Sequence, residues 1–136
     1  MVYAVIDTNV LVSAAFAAHL DSATVIVWNK ITDGSMIPLY NAEIIDEYRS
    51  VLNRPKFHFT TELVDAFLDV ILYKGLSLER TKTSELFTDP KDVVFYEVAL
   101  SKEGSYLVTG NTKHFPKTPI VVTPAELLQI LLQQGK

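Results

Sequence analysis

The chain reads as an α/β protein, with a central, mainly parallel sheet and helices on both faces. Two observations predict this. Apolar runs of strand length alternate along the chain with longer stretches whose apolar residues recur at helical spacing. The strand-like runs are also apolar on successive residues instead of every second one. Strands of a parallel sheet, covered by helices on both faces, need this pattern.

The first run, Met1 to Ile6, is a strand, and Val10 to Ala18 is an apolar helix. Ser22 to Thr32 is a second helix, broken by Asp33 and Gly34, and Met36 to Leu39 is a short buried strand. Asn41 can cap a helix over Ala42 to Leu52, with a stripe of Ile44, Ile45, Tyr48, Val51 and Leu52, ended by Arg54 and Pro55. Thr60 or Thr61 opens a strongly periodic helix through Leu63, Val64, Phe67, Leu68, Ile71 and Leu72, with Gly75 as its C-cap. Asp89 and Pro90 start a helix that Gly104 stops, and "YLVTG" (Tyr106–Gly110) and "PIVV" (Pro119–Val122) are buried strands. "TPAE" (Thr123–Glu126) is a capping box before a leucine-rich last helix. No repeat, low-complexity stretch or linker divides the 136 residues, which are expected to form one domain.

Composition narrows the function. Hydrophobic residues make up 49% and charged residues 21%, which excludes a disordered chain. A net charge of −4 means there is no overall basic footprint for nucleic acid, although an acidic metal pocket brings its own cations. Without cysteine, disulfides and thiolate metal sites are impossible. No basic-then-apolar leader precedes the first strand and no apolar run reaches ~18 residues, so a soluble, cytoplasmic protein is expected, with no membrane partner.

The acidic residues fall at the ends of elements. Asp7 stands where the first strand hands over to a helix, and a charge there needs a partner, either backbone N–H groups or a cation. Thr8 and Asn9 can orient it by hydrogen bonds or simply satisfy the turn. On the 42–52 helix, at ~100° per residue, Glu47 lies roughly 100° from the apolar centre, Glu43 about 140° and Asp46 about 160°. Glu47 is therefore the acid nearest a pocket, and Glu43 a weaker candidate. In "DPKD", Asp89 suits the N-cap and Asp92 the third helical position, where either carboxylate also favours the helix dipole. Asp92 is the less fully explained by capping, and Glu97 is expected to face solvent. "TGNTKHF" (Thr109–Phe115) follows a strand, and a turn with Asn111 left-handed would account for it. In an open parallel sheet, sites gather beyond the carboxyl ends of the strands. Asp7, Glu47, Asp92 and Asn111 can all reach that edge. Oxygen donors without Cys or a His cluster suit hard cations such as Mg²⁺ or Mn²⁺.

These stretches resemble the PIN-domain family of nucleases, including VapC-like toxins of toxin–antitoxin pairs. "VIDTNVLVSA" (Val5–Ala14) is similar to that family's first motif, and "EIIDEYRSVLNRPKF" (Glu43–Phe57) to the second with Glu47 as its acid. "DPKDVVFYEVAL" (Asp89–Leu100) is similar to the third, with Asp92 as its acid, and "YLVTGNTKHF" (Tyr106–Phe115) to the fourth. The resemblance implies a three-layer PIN-like sandwich and a metal-dependent endoribonuclease. Asp7, Glu47 and Asp92 would hold one or two Mg²⁺ or Mn²⁺ ions that activate a water and polarise the scissile phosphate. Thr8 and Asn9 would aim Asp7, Thr109 would contact the pocket or a phosphate, and Lys113 the RNA backbone. One departure stands out. Many PIN domains carry an aspartate in the fourth motif, where this chain has Asn111, with His114 three residues on. The resemblance thus gives Asp7, Glu47, Asp92 and Asn111 as the catalytic set. The loss of one carboxylate at Asn111 would weaken a second metal site more than the first, as one-metal chemistry or a metal completed by substrate would allow.

The partners implied are RNA, a small antitoxin protein and a second copy of the chain, through the 62–73 helix and the tail Leu127–Leu132. A different class of function is a degenerate PIN-like binding or scaffold module with little affinity for Mg²⁺ or Mn²⁺. A phosphotransfer enzyme using Asp7 as nucleophile fits less well, because a second acid is expected two residues on and position 9 is Asn.

Overall fold

The computed structural model describes residues 1–16 and 20–134. Its sheet has five strands, all parallel, in the order β3-β2-β1-β4-β5. They are β1 (Val2–Ile6), β2 (Met36–Tyr40), β3 (Leu76–Ser77), β4 (Tyr106–Val108) and β5 (Val121–Val122). β1 is central, with Val5 opposite Leu39 on one side and Leu107 on the other. Ala4, Val5, Ile6, Leu39 and Leu107 are wholly buried, as an unbroken apolar run requires.

The helices are α1 (Thr8–Phe16), α2 (Ala23–Thr32), α3 (Ala42–Leu52), α4 (Thr61–Lys74), α5 (Pro90–Leu100) and α6 (Pro124–Gln134). Asn41 caps α3 by accepting from the Ile44 N–H at 2.9 Å, and Thr60 caps α4 through the Leu63 N–H at 3.1 Å. Before α6, Thr123 and Glu126 bond reciprocally at 2.8 and 3.1 Å, completing the capping box. The connections β1→β2→β3 step one way across the sheet, and α5 carries the chain back to β4. Right-handed crossovers therefore put α5 on the face opposite the α1–α4 pairs. There it packs across β1, β2 and β4, while α2 and α4 pack on β2. The reversal of direction makes the carboxyl ends of β1 and β4 the switch point of the fold.

Some expectations need adjustment. α1 begins at Thr8, two residues early, and Ala17 and Ala18 lie outside the described residues. β3 has two residues, too short to leave a periodic signal, and β5 uses only the second half of "PIVV". Gly75 does end α4, but in extended backbone. What demands glycine there is a close approach. A Cβ would stand 2.5 Å from the Ile71 carbonyl oxygen and 2.6 Å from that of Pro38. Asn111 is not left-handed either; its φ is −134°.

Candidate active site

Asp7 follows the last residue of β1 and Thr109 the last of β4, so strand pairing alone brings them together at the switch point. The Asp7 N–H donates to the Val108 carbonyl at 2.9 Å, continuing the ladder, and the Thr109 hydroxyl donates to Asp7 Oδ2 at 2.7 Å. Both residues are buried, Thr109 completely. The Asp7 carbonyl accepts the Val10 N–H at 3.0 Å and so starts α1. Asp7 is thus an N-cap through its backbone, while its carboxylate is held by Thr109. Its side chain opens on a cleft.

That cleft encloses about 130 Å³. Asp7, Thr8 and Asn9 form one wall, Glu47 of α3 a second, and Asp89 and Asp92 of the α5 start a third. α3 is fixed here by Tyr48, 1% exposed, whose hydroxyl donates to the Ile6 carbonyl one residue before Asp7. With Tyr48 turned inward, its neighbour Glu47 falls at the edge of the buried stripe, half exposed to the cleft. Asp89 caps α5 by accepting the Lys91 N–H at 2.9 Å, and Pro90 supplies the first helical residue. Asp92 then faces the cleft from the first turn.

The electrostatics follow from this crowding. Burial raises the Asp7 carboxyl above the ordinary aspartate value and Glu47 adds to the rise. The Thr109 hydroxyl, the Thr8 N–H and nearby His114 oppose it. Asp92 is pushed up to about 6, first by burial and then by the like charges of Asp7 and Asp89. The Tyr48 phenol is raised well above its usual value by burial and by Asp7. His114 Nδ1 lies 3.9 Å from Asp92 Oδ2, and Asn111 Nδ2 lies 3.0 Å from His114 Nε2. If Nε2 accepts from Asn111, the ring proton sits on Nδ1 and points toward Asp92.

Asp7, Thr8, Asn9, Glu47, Asp89 and Asp92 therefore share one cleft, with Thr109 and the Asn111–His114 pair bonded behind or beside it. Two candidates lie elsewhere. Lys113 lines a neighbouring hollow with Phe115 and Glu126, and Glu43 turns away to meet Arg80 at 3.0 Å. Glu97, expected at the surface, is buried. It is 6% exposed rather than solvent-facing, because the segment after β3 wraps over α5. There Arg80 donates to its carboxylate at 2.7 and 2.8 Å and the Thr83 N–H at 2.8 Å, holding the Glu97 carboxyl below the usual glutamate value despite burial. Arg54 and Lys91, which line the cleft, read in the sequence only as a helix stop and a helix start.

The chemistry of this donor set bears on whether a divalent cation fits the cleft. The acids Asp7, Glu47, Asp89 and Asp92 offer carboxylate oxygens to the cleft, the carboxyls of Asp7 and Asp92 are raised chiefly by burial, and Thr8 Oγ1 is buried with no partner. Among the described residues, no three acidic or histidine side chains converge tightly enough to hold an ion by themselves. Such a set suits Mg²⁺, which keeps several waters and takes one or two carboxylates plus substrate phosphates.

A family model described as PIN domain matches residues 3–113, which takes in Asp7, Glu47, Asp92 and Asn111. The chain belongs to the PIN-domain family. PIN domains are generally nucleases and typically use divalent metals, and the five-stranded parallel sheet is the PIN fold. No curated protein and no solved structure matches the chain. No helix among the described residues is long and apolar enough to cross a membrane.

Proposed function

We propose that this PIN domain is a metal-dependent endoribonuclease. The observation that carries the reading is that Asp7, Glu47 and Asp92 share one cleft at the switch point, with the Asp7 carboxyl raised by burial and by Glu47 and that of Asp92 by burial and by Asp7 and Asp89. Mg²⁺ or Mn²⁺ bound there would supply an activated water and neutralise charge on the scissile phosphate. Asp7 and Asp92 would hold it, with Glu47 reaching it directly or through water. Thr109 keeps Asp7 in one orientation, and the orphan Thr8 hydroxyl has capacity for a water in the cleft. Lys91 and Arg54 bring positive charge to a place where a phosphodiester would enter.

In this reading the protein is the toxin of a toxin–antitoxin pair, working in the cytoplasm and held inactive by a small antitoxin protein. A homodimer is part of the proposal. Leu132 is 66% exposed beside an apolar groove of about 710 Å³ between α2 and α6. The test is cleavage of a labelled mixed-sequence RNA with Mn²⁺, Mg²⁺ or EDTA, by wild type and Asp7→Asn. Metal-dependent cleavage lost in the folded variant supports the reading. Equal behaviour of the two proteins would leave a binding module, the role that Asn111 in place of the fourth acid favours.

A further inference from the structure

Immediately after α3 the chain reads "RPKFHF", Arg54 to Phe59, with cations and aromatics interleaved. From Tyr48 to Thr61 there are three Arg or Lys residues, one His and no acid, in a chain whose net charge is −4. A 3₁₀ turn over Pro55–Phe57 ends at His58, whose φ of 57° is the one left-handed value among the described non-glycine residues. That turn sets the Phe57 and Phe59 rings 5.7 Å apart at 22°. Phe16, at the end of α1, joins them at 5.7 and 4.9 Å. Phe16 is 52% exposed, and the Lys56 ammonium lies 5.1 Å from the Phe57 ring centre. Among the described residues neither Arg54 nor Lys56 makes an ion pair. Arg54 lines the acidic cleft, and α1 runs from Thr8 in that cleft to Phe16, a path of about 12 Å at 1.5 Å per residue.

We infer that Phe16, Phe57 and Phe59, with Arg54 and Lys56, form a subsite for single-stranded RNA, where a base a few nucleotides from the cleft stacks on the aromatic rim. The inference rests on the nuclease reading above and names how its substrate is held. A solvent-facing ring accepts any base on its π-face, and adjacent unpaired cations match the phosphates of the same strand. The unpaired charges favour an anionic strand over an apolar peptide, which would bury them without partners. Because stacking needs an unpaired base, the subsite selects single strands over duplex.

The test uses Asp7→Asn protein in EDTA, so that binding is read without cleavage, with a fluorescein-labelled RNA of about ten nucleotides followed by anisotropy. Phe16→Leu keeps the apolar bulk and removes the ring, and is expected to weaken binding by about 5- to 30-fold. Lys56→Gln, a surface change that cannot unfold the domain, should weaken it and lower the salt slope by about 0.7, one phosphate contact on a single strand. Duplex of the same sequence should be insensitive to Phe16→Leu. The subsite is overturned if RNA binds both variants like the parent, if the parent binds no RNA, or if the variants change only self-association or peptide binding. Cleavage by wild type is scored apart from this. An active nuclease with unchanged variants would sink the subsite alone, and bound RNA without cleavage would sink the nuclease alone.

Discussion

Asp92→Asn should make the metal-free protein more stable while removing its response to divalent cations. The native Asp92 carboxyl titrates at about 6 against 3.8 for an ordinary aspartate. At ~1.36 kcal/mol per pH unit, ionising it in the folded protein costs at most about 3 kcal/mol relative to the unfolded chain. Its side chain is 20% exposed, so solvent screening reduces this to about 1–2 kcal/mol. Taking a carboxylate from the first turn of α5 works the other way by about 0.5 kcal/mol. A net gain of about 1 kcal/mol remains, or about 3–5 °C in Tm for a chain of this length. The sign is fixed by the direction of the shift. A raised folded pKa means the penalty is absent below about pH 4, grows between about pH 4 and 6, and is complete above. Thermal unfolding in EDTA at about pH 7.5 should therefore show the gain, and at about pH 4 the variant should lose it. Added Mg²⁺ or Mn²⁺ at the higher pH should raise the wild-type Tm and leave the variant unmoved. Equal gains at both pH values would show that the effect is packing, and no gain at either would remove charge crowding from the account of the cleft.

Two other changes probe the frame around the site. Arg80→Ala leaves Glu97 buried without its cation and should cost about 1–3 kcal/mol in urea unfolding, toward the lower end because Arg80 is 36% exposed. Since the folded Glu97 carboxyl is depressed, that loss should shrink as pH falls through its folded value, and a pH-independent loss would show that the ion pair is not its source. Gly75→Ala places a methyl group against two backbone carbonyls and should cost about 2 kcal/mol or more, read as a lower urea midpoint; an unchanged midpoint would refute the close approach of α4 and β2.

Much of this molecule was legible in its residues, for local reasons. α3 matched its expected limits because Asn41 caps it and the Arg54–Pro55 pair follows it closely. The all-parallel order followed from unbroken apolar strands separated by helices. The sharing of one cleft by Asp7, Glu47 and Asp92 could be anticipated because each sits at an element end or at the border of an apolar stripe. What escaped was set by distant segments. Glu97 read as a surface acid because nothing near it in sequence covers it, whereas Arg80 and Thr83 do so from seventeen and fourteen residues away. β3 borrows its pairing from β2 and carries no pattern of its own. Gly75 looked like an ordinary cap because the carbonyl of Pro38, which forbids a side chain there, belongs to another strand.

The hydrogen bond between Thr109 and Asp7 spans 102 positions of the chain. A ribosome makes Asp7 long before Thr109. Until β4 emerges, β1 has an open edge on that side and the Asp7 carboxylate lacks the hydroxyl that orients it. Contacts between segments so far apart in sequence are also slow to form, because the intervening loop must close before they can. A nascent or prematurely ended chain can therefore contain Asp7, Glu47 and Asp92 and still not present them as one centre. For a nuclease of the kind proposed, the topology itself would act as a delay that lasts until β4 has been made.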